Sequence, residues 1–269
     1  MGVLNVTPDS FSDGGRYLDP DAALQHARAM VAEGADLVDV GGESTRPGAE
    51  PVDAGEELRR VMPVVERLAG DIPVSIDTSK AAVARAATAA GAVFVNDVTA
   101  LHGDPEMAAV VADSGADLCL MHMLGEPRTM QDDPRYDDVV AEVAAFLEER
   151  LAFAVGAGIA EHRIWLDPGI GFGKTLEHNL ELLRRLDEIV ALGRPVVVGA
   201  SRKRFLGALT GRGEAERLAG TVAANVMAFE RGAHMFRVHD VAAARDALTV
   251  ASATVDESSS EAHNPPRNP

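Results

Sequence analysis

Residues 74–97 read VSIDTSKAAVARAATAAGAVFVND and contain one complete strand, helix, strand unit. The short apolar runs at 74–76 and 93–95 are typical of strands that are buried on both faces. The segment between them ends at Gly91, a residue type that stops helices. Asp77 and Asn96 follow the two strands directly. The stretch therefore predicts two parallel strands joined by a helix, each with a polar residue at its carboxyl end.

The same unit recurs along the whole chain. Strands are predicted at residues 2–5, 37–40, 74–76, 93–95, 118–121, 164–166, 196–198 and 235–238. Between them, apolar residues repeat with helical spacing, as at Val140, Val143 and Leu147. Eight units without a smaller second domain favour a closed (β/α)8 TIM barrel over an open doubly wound sheet, and a single barrel of about 250 residues fits the 269-residue length.

Domain boundaries follow from the end of this pattern. Residues 1–254 are predicted to form one barrel domain, opened by a first helix that has Pro20 at its first position. Residues 255–269 are polar, rich in proline and without periodicity, which predicts a disordered tail. The N-terminus lacks the features of a signal peptide, so we expect a cytoplasmic protein. The single cysteine, Cys119, lies in an apolar strand and is predicted to be a buried, inert thiol.

Bulk charge excludes one class of partner. The formal net charge is −17, which argues against nucleic-acid binding because phosphate backbones require broad basic surfaces. No apolar run is long enough to cross a membrane. A few convergent cations in a pocket are still sufficient for a small anion such as a diphosphate.

Polar residues stand at every predicted strand end, where barrel enzymes carry their chemistry. These residues are Asn5, Glu43, Ser44, Thr45, Arg46, Asp77, Asn96, Asp97, His122, Asp167, Ser201, Arg202, Lys203, Arg237 and His239. Any one of them alone is more simply explained as a helix cap or a turn residue. Their convergence at all eight ends favours a functional site.

One group of these residues suits a flat heterocycle. Asp77, Asn96, Asp167 and Lys203 combine two acceptors, an amide and a cation, which match a ring edge of mixed donors and acceptors. A structural alternative is that the carboxylates form ion pairs with Lys203. Metal ligation is the other alternative, but no His, Asp or Glu spacing resembles a closed metal cage.

A second group suits a phosphate. It consists of Asn5, Thr45, Arg46, Arg237 and His239. The two loops after the first strands, at 6–20 and 41–53, are rich in Gly, Pro and Ser and are predicted to close over a ligand. The segment 199–203, GASRK, is a weaker phosphate or ring signal, with Arg202 as a further candidate cation. The run DPGIGFGK at 167–174 lacks the order of a phosphate loop and predicts close backbone approach to a planar ligand.

Eight motifs, in order, carry a family resemblance. They are MGVLNVTPDSFSDGG, VDVGGESTRPGA, VSIDTSK, VNDV, MHMLGEPRTMQ, WLDPGIGFGK, GASRKRFLG and FRVHDV. Over almost its whole length the chain resembles the dihydropteroate synthases. The resemblance implies condensation of 6-hydroxymethyl-7,8-dihydropterin diphosphate with p-aminobenzoate in folate biosynthesis, with Mg²⁺ and as a homodimer. We expect an SN1-like course, because the electron-rich dihydropterin can spread the positive charge left by the departing diphosphate. Where the family usually has SIDTSKPE this chain has SIDTSKAA, a loss of one proline from which we expect little consequence.

The resemblance also implies residue roles. Pterin binding is implied for Asp77, Asn96, Met121, Asp167, Phe172 and Lys203. Diphosphate binding is implied for Asn5, Thr45, Arg46, Arg237, Val238 and His239, with Asn5 also contacting the metal. The p-aminobenzoate site is implied for Phe11, Thr45, Pro47, Phe172 and Ser201. Catalysis is expected to depend on Asp77, Asp167, Lys203, Arg237 and His239.

Two other functions stay open at this point. A pterin-binding barrel that transfers a methyl group from a reduced folate to a corrinoid protein would share the ring site, but would have no use for the anion group. A non-catalytic scaffold is the second alternative. Loss of Asn5, Lys203 or Arg237 would have favoured it, and all three residues are present.

Overall fold

The computed structural model describes residues 1–7, 20–45 and 48–254. Within these ranges the strands are β1 (Gly2–Asn5), β2 (Val38–Gly41), β3 (Val74–Asp77), β4 (Phe94–Asp97), β5 (Asp117–Met121), β6 (Ile164–Asp167), β7 (Val197–Val198) and β8 (Met235–Phe236). All eight predicted strands are confirmed. Their bounds differ by one or two residues, and β3, β4 and β6 extend far enough to include Asp77, Asn96 and Asp167 in the strands themselves.

The helices surround the strands. They are α1 (Pro20–Ala32), α2 (Ala54–Leu68), α3 (Ala81–Ala89), α4 (Met107–Ser114), α5 (Val139–Gly156), α6 (Leu176–Arg184), α7 (Leu186–Val190), α8 (Arg204–Thr210), α9 (Leu218–Glu230) and α10 (Val241–Thr254). The sixth and seventh units each contain two helices where one was predicted. The predicted helix start at Pro20 is confirmed, and Gly115 is the left-handed cap of α4. No helix in the described ranges is long and apolar enough to span a membrane.

Helix α3 begins where the family usually has the proline that this chain lacks. The backbone N–H of Ala81 donates to the side chain of Asp104 at 2.9 Å. Because proline has no N–H, this contact is available only with the residue found here. The additional donor at the start of α3 is therefore satisfied, and the change leaves no orphaned backbone group at that position.

The strands are parallel and follow chain order. Strands β1 to β6 form one sheet, and β7 pairs with β8. Single bridges, Leu166↔Val196 and Gly2↔Val238, connect these two parts on both sides. At the second of these, the N–H of Val3 donates to the carbonyl of Val238 at 2.9 Å. The architecture is a TIM barrel in which two of the junctions are single bridges in place of full ladders.

Register brings the strand ends to one level. Asn5 pairs with Gly41, Gly41 with Asp77, and Asp77 with Asn96. Cys119, in the middle of β5, pairs with Asn96 and belongs to a small apolar cluster with Met1 and Phe94. Burial raises the pKa of the Cys119 thiol well above its ordinary value, so the prediction of a buried, inert thiol is confirmed.

Candidate active site

Arg237 connects opposite sides of the barrel mouth. It follows β8, and its Nε donates to Asp39 Oδ2 at 2.6 Å while its Nη2 donates to Asp77 Oδ2 at 2.7 Å. The guanidinium therefore joins the predicted anion group to the predicted ring group. Asp77 forms its ion pair with Arg237. The charge of Lys203 acts on the other carboxylate and opposes the rise in the pKa of Asp167.

Asp39 is a site residue that sequence reasoning missed. It lies in the middle of β2 and is completely buried. In addition to Arg237, it accepts hydrogen bonds from Ser75 Oγ at 2.5 Å and from Asn96 Nδ2 at 3.1 Å. A carboxylate inside an otherwise apolar strand was the available signal, since a buried charge requires partners from elsewhere in the fold.

Asp77 and Asp167 are both buried carboxylates with raised pKa values. Burial raises the pKa of Asp77 to about 7, although the Arg237 charge opposes the increase and the Asp39 charge adds to it. Burial raises the pKa of Asp167 to about 6, against the N–H of Gly169 and the charge of Lys203. Burial disfavours the charged forms of both carboxylates, so a ligand that presents N–H donors would stabilise those charged forms.

The second side of the ring group is formed by Lys203 and Phe172. The ammonium of Lys203 lies 3.9 Å from the centre of the Phe172 ring, and both side chains are half-buried. Such a cation over an aromatic face is favourable and orients both groups. Asn96 and Met121 are buried at neighbouring strand ends. The structure thus brings the predicted pterin residues to one end of the barrel.

The glycine run after β6 has a structural role that differs from the predicted one. Asp167 Oδ1 accepts from the N–H of Gly169 at 2.7 Å. A Cβ atom on Gly169 would lie 1.8 Å from the carbonyl oxygen of His122, and one on Gly173 would lie 2.6 Å from that of Leu124. Packing against the loop after β5 therefore requires both glycines. The close approach of a planar ligand to this run stays a prediction.

Lys174 influences the protonation state of His122. Lys174 is buried, and its Nζ lies 2.9 Å from His122 Nδ1 and 2.9 Å from the carbonyl oxygen of Phe172. Burial lowers the pKa of Lys174 to about 7, and burial together with the Lys174 charge lowers the pKa of His122 to about 3. His122 is thus a neutral partner of Lys174, and Lys174 itself was missed by sequence reasoning.

The remaining anion candidates divide into two classes. Ser201 Oγ lies 2.9 Å from His239 Nδ1, so Ser201 orients the imidazole. Asn5 is half-buried at the end of β1, Thr45 is half-buried in the loop after β2, and Val238 is buried. Arg202 is different, because its Nε and Nη2 both donate to Asp240, at 3.0 and 2.6 Å. We expect this ion pair with Asp240, and not anion binding, to be the role of Arg202.

The loop after β2 is fixed at its base. Lys80 Nζ donates to Glu43 Oε2 and to Glu57 Oε2, each at 2.6 Å. Glu43 also accepts from the N–H of Val52 at 2.9 Å. These contacts hold both ends of the segment that carries Thr45. The predicted contacts of Phe11, Arg46 and Pro47 lie outside the described residues.

The metal-donor groups at the barrel mouth bear on the predicted magnesium site. In the described ranges, no group of three or more His, Cys, Asp or Glu side chains is placed to hold a metal ion. Mg²⁺ commonly uses one or two protein oxygen atoms together with substrate phosphates. Asn5 offers one such amide oxygen at the end of β1. The donors are therefore consistent with a magnesium ion shared with a diphosphate, but not with a site made by protein alone.

A family model, several known proteins and several solved structures each match most of this chain. The family model described as "Pterin binding enzyme" matches residues 1–239. Dihydropteroate synthase of Escherichia coli strain K12 is 49% identical over 257 residues, which are 95% of this chain and 91% of that protein. The Yersinia pestis dihydropteroate synthase, solved with a sulfonamide drug complex, superposes with a TM-score of 0.90 at 47% identity, covering 94% of this chain and 92% of that one. The Xanthomonas albilineans enzyme in complex with 7,8-dihydropteroate gives a TM-score of 0.85 at 49% identity, covering 95% and 93%.

Proposed function

We propose, from the premise that this chain belongs to the family of pterin binding enzymes and within it to the dihydropteroate synthases, that it makes 7,8-dihydropteroate. The substrates are 6-hydroxymethyl-7,8-dihydropterin diphosphate and p-aminobenzoate, and the second product is pyrophosphate. The observation that carries the proposal is the pair of buried carboxylates at the strand ends, Asp77 and Asp167, whose charged forms N–H donors of a ligand would stabilise.

The pterin is held through its edge. Its amino and ring N–H groups donate to Asp77 and Asp167, and Asn96 supplies a further polar contact. Lys203 donates to acceptor atoms of the ring, and Phe172, against which the ammonium rests, borders the pocket. Met121 adds an apolar wall. An analogue that lacks these edge groups would leave buried polar atoms unpaired, which is how the site selects its ring.

The diphosphate leaves as charge accumulates on its bridging oxygen. Arg237 and His239 stabilise that charge, with Asn5 and Thr45 completing the anion group. We also propose that Asn5 holds Mg²⁺ together with the diphosphate, where the ion would neutralise phosphate charge. Arg46 is proposed for the same group from the resemblance.

Bond cleavage precedes attack in the mechanism proposed. The dihydropterin is electron-rich and spreads the positive charge left on its methylene carbon, and the carboxylates Asp77 and Asp167 favour that cation. The p-aminobenzoate amine is neutral near pH 7, so its attack needs no strong base. Thr45, Phe172 and Ser201 are proposed to border this second substrate, together with Phe11 and Pro47.

Three broader proposals remain. The resemblance supports a homodimer, and the sequence features described above support a cytoplasmic location and one barrel domain over residues 1–254. The barrel's last helix, α10, ends at Thr254. The disordered tail predicted for residues 255–269 lies outside the described residues.

The test is an assay of pyrophosphate release from the pterin diphosphate. We expect release that depends on p-aminobenzoate and on Mg²⁺, with 7,8-dihydropteroate formed in equal amount. Titration with a chelator checks the metal separately from the organic substrates. Absence of turnover by a protein that is folded, as judged by circular dichroism, would favour the scaffold alternative.

A further inference from the structure

We infer that Asp39 is a positioning residue for this reaction, because one oxygen of its carboxylate holds both Asn96 and Arg237 in place. The inference rests on the proposed function and adds a residue to which the sequence assigned no role. Asp39 is completely buried inside β2. It pairs with Ser75 on β3, two residues before Asp77.

The two oxygens of Asp39 have separate tasks. Oδ1 accepts from the hydroxyl of Ser75 at 2.5 Å, which anchors the carboxylate to β3. Oδ2 accepts from Asn96 Nδ2 at 3.1 Å and from Arg237 Nε at 2.6 Å. The first contact fixes the carboxylate, and the other two transmit its position to the ring and anion groups.

The contact with Asn96 determines what that amide offers a ligand. A carboxylate oxygen only accepts hydrogen bonds, so the amide must direct its NH₂ group at Asp39. The reversed amide would bring two oxygens together inside a buried site, which is unfavourable. Asn96 therefore keeps its carbonyl oxygen for the ligand. At this position the site reads a donor on the pterin edge.

The contact with Arg237 fixes the guanidinium plane. Its Nε is held by Asp39 and its Nη2 by Asp77, from two neighbouring strands. A planar fork held at two corners by two carboxylates has little rotational freedom. Without Asp39 the guanidinium would keep only the Asp77 contact and would turn toward it. Orientation of Arg237 toward the leaving group therefore depends on Asp39.

If Asp39 had only a structural role, a folded Asp39 variant would bind pterin and turn over like wild type. The buried ion pair by itself does not decide this, because it is weak evidence for stability. Asp39→Ala removes all three contacts. Asp39→Asn can keep all three contacts. Its carbonyl oxygen accepts from Asn96 and Arg237, and its NH₂ group donates to the Ser75 hydroxyl oxygen. Ser75→Ala is the matched comparison, because it removes only the anchor of Asp39 and keeps the contacts of Oδ2 with Asn96 and Arg237.

The experiment measures affinity for 6-hydroxymethylpterin by titration calorimetry, and kcat with both substrates, for these three variants and for wild type. We expect Asp39→Ala to lose about tenfold or more in both quantities, the size of a lost charge-assisted contact. Asp39→Asn is expected to stay within about threefold of wild type. Ser75→Ala loses the anchor but keeps the contacts of Asp39 with Asn96 and Arg237, so it should lose less than Asp39→Ala in both quantities. Wild type that fails to turn over contradicts the proposed function, whereas turnover by wild type makes the variants a test of Asp39 alone.

Asp39→Asn gives an independent test if Asp39→Ala does not fold. The charges of Arg237, Asp39, Glu57 and Asp97 all act on Asp77, and Arg237 is in direct contact with it. Removing the Asp39 charge lowers the pKa of Asp77, so the acid limb of pterin binding should move to lower pH in Asp39→Asn. The inference is overturned if folded Asp39→Ala binds pterin and turns over like wild type, or if Asp39→Asn loses more than about tenfold in affinity while folded.

Discussion

Replacement of Asp77 with Asn should stabilise the protein at alkaline pH and impair its function. Asp77 is 9% exposed, and burial raises its pKa from 3.8 to about 7 even with Arg237 in contact. Because the folded pKa lies above the unfolded one, the folded state keeps a proton between about pH 4 and pH 7 that the unfolded state releases. Stability therefore falls as the pH rises through this window, and the penalty is complete above the folded pKa.

The magnitude follows from the size of the shift. A difference of about three pKa units corresponds to at most on the order of 4 kcal/mol at pH 8. The contribution of Arg237 is already contained in that shift. Asn is neutral at every pH, so Asp77→Asn avoids the penalty. The gain in unfolding free energy should be about zero near pH 4 and largest at pH 8.

Urea denaturation of wild type and Asp77→Asn at pH 5 and pH 8 checks this expectation, because its midpoint and slope give the unfolding free energy at each pH. Asp97→Asn is the control. Asp97 is also completely buried, but its two oxygens accept from the N–H groups of Thr99 and Leu101 at 2.9 and 2.8 Å. An amide there would oppose a donor with a donor, so Asp97→Asn should lose about 1–3 kcal/mol.

The reasoning would be refuted by an Asp77→Asn protein that is no more stable than wild type at pH 8, or by a gain that is equal at both pH values. The first result would mean that partners other than Arg237 satisfy the charged form. The second would assign the gain to packing and not to ionisation. Turnover should fall at least tenfold in this variant, because a neutral amide binds the pterin edge less strongly than a carboxylate does.

Three further variants address single residues of the site. Asp167→Ala should weaken binding of 6-hydroxymethylpterin by about 1–3 kcal/mol with little change in melting temperature, measured by calorimetry and thermal denaturation, and large unfolding with intact affinity would contradict it. Lys203→Met keeps the length of the side chain but loses its charge 3.9 Å from the Phe172 ring, and should weaken pterin binding by about tenfold while p-aminobenzoate saturation changes less. Arg202→Ala should lower the melting temperature through loss of the Asp240 pair and leave the KM for the diphosphate substrate unchanged; a large rise in that KM would restore Arg202 to the anion group.

The sequence by itself determined the barrel and the level at which its site lies. Strand and helix patterns are local, since they depend on periodicity over a few residues and on stop signals such as Gly115. Once eight parallel strands are recognised, the positions of Asp77, Asn96 and Asp167 at the carboxyl ends follow from chain direction alone. The motifs then added the reaction and the residue roles.

Only the tertiary structure decided which charges are partners. Arg237 is 198 residues from Asp39 and 160 from Asp77 along the chain, and Arg202 is 38 from Asp240. Contacts over such separations depend on how the strands close and on which way each side chain points. Asp39 was missed because a strand buried on both faces gives no alternation that marks an interior carboxylate. Its position beside Asn96 and Arg237 exists only after three strands have come together around it.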